Sequence, residues 1–81
     1  MKLEFQEQTD DYINYTGIYN TESNPIEITV YRYNDSHDPQ DIHVFADDKL
    51  VGKLTSYEVT ELNESLGTAV EDLLWRANIG R

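Results

Sequence analysis

The feature that most constrains this chain is a switch in apolar spacing at Thr55. Before it, apolar and polar residues alternate, as they do on a half-buried strand. Ile26, Ile28 and Val30 point one way, and Glu27, Thr29, Tyr31 and Tyr33 the other. Leu3 and Phe5 alternate with polar neighbours. Ile13, Tyr15, Gly17 and Tyr19 oppose Tyr12, Asn14, Thr16 and Ile18, and Ile42, Val44 and Ala46 oppose His43 and Phe45. Asp47-Asp48 reads as a hairpin turn. It leads into a return strand over 49–54, with Leu50 and Leu54 on the core face and Gly52 between them.

From Thr55 the spacing becomes helical. Thr55-Ser56-Tyr57-Glu58 fits a capping box, in which a hydroxyl serves one orphan amide and a Glu reaches back to another. Val59, Leu62, Leu66, Val70, Leu73, Leu74 and Ala77 then form one stripe. Gly67 offers a break, with Thr68 opening a second helix. The apolar phase does not slip across it, so the spacing predicts one helix over 55–79. The expected fold is α+β: a small antiparallel sheet of four to five strands with one long C-terminal helix packed on one face. The whole of 1–81 is a single domain, with strands and loops over 1–54.

Eighty-one residues make a modest core. There is no cysteine, so neither a disulfide nor a thiolate nucleophile is available. Lys2-Leu3-Glu4 does not open a signal peptide, and no apolar run reaches the ~20 residues of a membrane span. The expectation is a cytoplasmic protein away from membranes, which anionic lipid would repel. The aromatic and branched apolar residues, regularly spaced, argue for a folded chain despite its charge.

That charge bounds what the chain touches. Sixteen acids stand against six bases, for a net charge of −10. Such a field repels phosphate and attracts cationic patches. Opposite the apolar stripe of the expected helix lie Glu58, Glu61, Glu64, Glu71 and Asp72, with no base from Leu54 to Trp75. Unmixed acids cost a helix tenths of a kcal/mol, about the size of an i,i+4 pair. The plainer reading is a merely solvated face; the functional one is a row of carboxylates offered to a basic partner. Trp75 projects into this sector and Tyr57 falls on the same face. Both residue types are enriched at binding hot spots, although a lone Trp also serves to complete a small core. Glu61, Glu64, Glu71, Asp72, Trp75 and Tyr57 are therefore the primary partner-binding candidates.

Tyr31 and Tyr33 share a strand face and are secondary candidates. Aromatic stripes stack bases, but the cations that nucleic acid needs are missing, so direct nucleic-acid binding is not expected. The acids Asp35, Asp38, Asp41, Asp47 and Asp48 complete the secondary set. With His37 and His43 the first three of these form the one candidate metal or catalytic cluster, yet their spacing matches no ligand signature. Neither a nucleophile elbow nor a glycine-rich phosphate loop is present. No cofactor and no enzymatic activity are expected.

The general profile, tiny, acidic, cysteine-free and aromatic-bearing, resembles that of small inhibitors from phages and mobile elements, including DNA-mimic anti-restriction proteins and anti-CRISPR proteins. The resemblance covers composition and layout, and no motif carries it. It implies an inhibitor that engages a cationic surface of a protein partner, such as a nuclease or nucleic-acid-binding complex, with DNA mimicry as one means. The alternative is an intracellular interaction domain, such as an antitoxin, immunity protein or adaptor, without mimicry. A homodimer is left open.

Overall fold

A computed structural model describes residues 1–21, 24–34, 37–61 and 65–79, with the side chains of Thr60 and Glu61 excepted. Five antiparallel strands lie in chain order: β1 (Glu4–Gln8), β2 (Tyr12–Asn20), β3 (Pro25–Tyr33), β4 (Ile42–Ala46) and β5 (Lys49–Leu54). Two helices follow, α1 (Ser56–Glu61) and α2 (Leu66–Arg76). The α+β class, with its helices on one face of the sheet, is as the spacing predicts.

The core sits between the central strands and α2. Ile28 and Val30 of β3, Ile42, Val44 and Ala46 of β4 and Leu54 of β5 meet Ala69, Val70, Leu73 and Leu74. Burying a residue of this size fully contributes about 1.5–3 kcal/mol. Gly52 admits a close fit: a Cβ on it would lie 2.9 Å from Leu73 Cδ2 and 3.2 Å from Leu73 Cγ. Leu73 thus fills the space that a side chain on β5 would take.

The turn between β4 and β5 is Asp47-Asp48, with φ of 49° and 66°. Positive φ at both central residues is the turn whose twist suits a hairpin. Beyond it the expected alternation fails. A bulge between Val44 and Phe45 pairs Val44 with Gly52 but Phe45 with Leu50. The extra residue is Val51, and it packs against the core. Leu50, expected inside, is turned to the other face and is 50 % exposed. One inserted residue reverses every side chain beyond it.

The single helix expected over 55–79 is two. Ser65 is extended (φ −71°, ψ 152°) and its hydroxyl accepts from the Thr68 amide, 3.1 Å away. That is an N-cap, and a helix cannot run through one. The break therefore precedes Gly67 rather than using it. Leu62, expected in the apolar stripe, lies outside the described residues. At its far end α2 stops in a Schellman motif: Asn78 N donates to Trp75 O, Ile79 N donates to Leu74 O, and Asn78 has φ 59°. Ile79 packs back on the core. Ala77 is the C-cap and is exposed, not part of the buried stripe.

The amino-terminal segment closes the β2 side of the core. Met1 and Leu3 pack against it beside Tyr15 and Tyr19. Two glycines admit this segment. A Cβ on Gly17 would come within 2.8 Å of the Lys2 carbonyl oxygen, and one on Gly67 would overlap the Met1 carbonyl.

Candidate interaction surface

Helix α2 presents Thr68, Glu71, Asp72 and Trp75 on one side, the spacing of three and four that aligns residues on a helix. With Tyr19 of β2 they line a groove of about 420 Å³. Trp75 is 58 % exposed, so the core does not claim it. Glu71 and Tyr19 also line a second, larger groove of about 780 Å³, together with Glu4, Ile18 and Glu27. The two grooves share a wall and carry acid along it.

These carboxylates are less bare than the sequence implies. Glu71 pairs with the Met1 ammonium, and the Met1 side chain is almost enclosed. Asp72 pairs with Arg76 one turn on, at 3.1 Å. The second pair is exposed and worth at most about 0.5 kcal/mol. The first lies across the fold, from chain start to α2. Spacing along one helix cannot reveal it. The sole sequence cue is that the Met1 end of the chain carries a charge.

The remaining primary candidates are scattered. Tyr57 is 73 % exposed on α1 and lines neither groove. Glu64 lies outside the described residues, as does the side chain of Glu61.

Most described members of the loop cluster are engaged elsewhere. Asp41 accepts from Ser56 N at 2.8 Å and Ser56 Oγ at 2.7 Å. It anchors the start of α1 and is half-buried. Glu58 N donates to Thr55 Oγ1 at 2.9 Å, one half of the capping box. Asp38 accepts from Gln40 N and pairs with Lys53. The Gln40 amide first, then the Lys53 ammonium, hold its carboxyl below the usual aspartate range. Asp35 lies outside the described residues. His37 is exposed, and the ring of His43 lies 4.9 Å from that of Tyr33 on the sheet. Among the described residues no three His, Asp or Glu side chains gather as a metal site would require. Asp47 and Asp48 occupy the exposed hairpin turn.

Tyr31 and Tyr33 belong to a larger assembly than the sequence shows. On the sheet face opposite the helices, Tyr31 meets Tyr12 at 5.1 Å, Phe45 at 5.8 Å and Tyr33 at 6.2 Å between ring centroids. Only the pairing register brings residues from three strands together in this way.

Among the described residues no helix is long and apolar enough to cross a membrane. No protein-family model matches this chain, and no significant match is found among curated proteins or solved structures.

Proposed function

We propose that this chain is a small non-enzymatic binding protein that docks onto a cationic surface of a protein partner through α2. The surface it covers is one that otherwise holds nucleic acid, so docking inhibits. The observation that carries this reading is Trp75. It stands 58 % exposed beside Glu71 and Asp72, over a groove that Tyr19 shares. A chain with so small a core has left its only Trp outside. An aromatic anchor ringed by acid suits a partner rich in Lys and Arg. A net charge of −10 steers the encounter, and nucleic-acid-binding proteins carry the matching basic patches.

The alternative, an interaction domain without mimicry, has support of its own. The Glu71–Met1 and Asp72–Arg76 pairs offset part of the charge that a phosphate-like row would need. An anchored contact then carries more of the affinity than the charge row does.

The test is affinity capture with the parent and with Trp75→Ala, followed by binding measurements on the captured partner. Retention by the parent and loss by Trp75→Ala supports the α2 surface. Competition by duplex DNA, with steep weakening between about 50 and 200 mM salt, supports occupation of a nucleic-acid site. Binding indifferent to Trp75 sets the α2 reading aside.

A further inference from the structure

The sheet face that the helices leave bare is a second docking surface, and we infer that it takes arginine side chains from a basic protein segment. It lies on the opposite side of the sheet from α2, and its aromatic rings line neither groove described above.

Its floor is aromatic. The register aligns Asn14, Tyr31 and His43 in one row, and Thr29, Phe45 and Leu50 in the next. Tyr12 pairs with Tyr33 beside them. Tyr31 and Tyr33 are nearly parallel, at 23°, while Tyr12 and Phe45 stand at 90° to Tyr31. The helix-packed core includes none of these rings. Ring faces attract cations, and a planar guanidinium stacks on them where an ammonium does not.

Its rim is acidic. Glu7 accepts from the Tyr12 hydroxyl at 2.9 Å. Glu27, four residues before Tyr31 on β3, shares this face by the alternation of the strand. The lysine on this face, Lys53, is already paired with Asp38. A second copy of the chain would bring another charge of −10 to this rim, which opposes self-association and favours a cationic occupant.

The probes are capped hexa-arginine and hexa-lysine peptides, titrated into the full chain and followed by NMR. The arginine peptide should bind about two- to fivefold more tightly than the lysine peptide. Shifts should concentrate on the Tyr12, Tyr31, Tyr33 and Phe45 rings. This pattern should survive Trp75→Ala, which separates it from the α2 surface, and should be lost in Tyr31→Leu. If Tyr31→Leu fails to fold, Tyr33→Leu serves instead. Equal affinity for the two peptides, with shifts spread over the acidic loops, overturns the proposal. So do shifts that centre on Trp75 and vanish in Trp75→Ala. A stable dimer in sedimentation, its interface on these rings, assigns the face to a second copy and also overturns it.

Discussion

Gly67 lies against the Met1 carbonyl so closely that a methyl group on it would overlap that oxygen. A glycine near a helix start is often only tolerated, at about 1 kcal/mol relative to alanine. Here it admits the amino-terminal segment, whose Met1 and Leu3 pack against the core. Gly67→Ala should therefore destabilise by about 1–3 kcal/mol, the usual cost of overpacking, despite the better helix former. Thermal melting decides it. A raised melting temperature would show that Met1 is not seated there in solution.

Gly52 and Leu73 make a comparable pair on the other side of the core. Leu73→Ala should cost about 2–5 kcal/mol, and Gly52→Ala about 1–3 kcal/mol because its methyl meets Leu73. In the double variant the new methyl enters the space that Leu73 vacates. The double loss should be smaller than the sum of the single losses, by at least about 0.5 kcal/mol in a double-mutant cycle. Strict additivity of the denaturation free energies would place Leu73 away from β5.

Asp41→Ala should cost about 1–2 kcal/mol, the range for a lost helix cap. It removes both bonds to Ser56 and frees the start of α1. Asp41→Asn retains an acceptor and should cost less. Urea denaturation of the two variants measures this. If Asp41→Ala matches the parent in stability, its bonds to Ser56 do not hold α1 in solution.

The strands were legible because each has one buried face, and alternation reports that directly. The hairpin was legible because two short acids can sit at positive φ. What the spacing could not show was insertion and closure. Nothing in Leu50-Val51-Gly52 says that Val51 is the extra residue of a bulge. The apolar stripe runs in phase from Val59 to Leu74, so it conceals the interruption at Ser65. Gly67 followed by Thr68 was the break weighed against that continuity, and the N-cap, Ser65, precedes both. The candidate site was legible on α2 alone. Its groove needs Tyr19 from β2, and the partner of Glu71 comes from the chain's first residue.

The Tyr12 hydroxyl donates to Glu7, and this bond first, with burial second, raises its pKa above the ordinary 10.0. The bond favours the protonated form in the folded chain. Its contribution to stability is therefore whole below pH 10 and fades as the pH rises through the folded value. A ring resonance of Tyr12 followed by NMR should titrate above 10.0 in the parent and move back toward it in Glu7→Ala. A midpoint indifferent to Glu7 would mean the bond is absent in solution.

Glu71 and Asp72 are neighbours on one helix face, yet reversing their charges should have different results. Asp72→Lys breaks an exposed pair with Arg76, at 67 % and 58 % side-chain exposure, and little else. The fold should lose no more than about 1 kcal/mol. Glu71→Lys instead sets an ammonium against the Met1 ammonium, and the Met1 side chain packs on the core. Repulsion there should loosen the amino-terminal segment and lower the melting temperature clearly. Asp72→Lys is thus the clean probe of the α2 surface. Against a cationic partner it should slow association, because steering acts on the encounter. Trp75→Ala should quicken dissociation, because an anchor acts on the bound state. Stopped-flow kinetics of the two variants at two salt concentrations separates the effects. If both variants bind and release as the parent does while Glu71→Lys merely melts earlier, α2 contributes stability alone and the partner docks elsewhere.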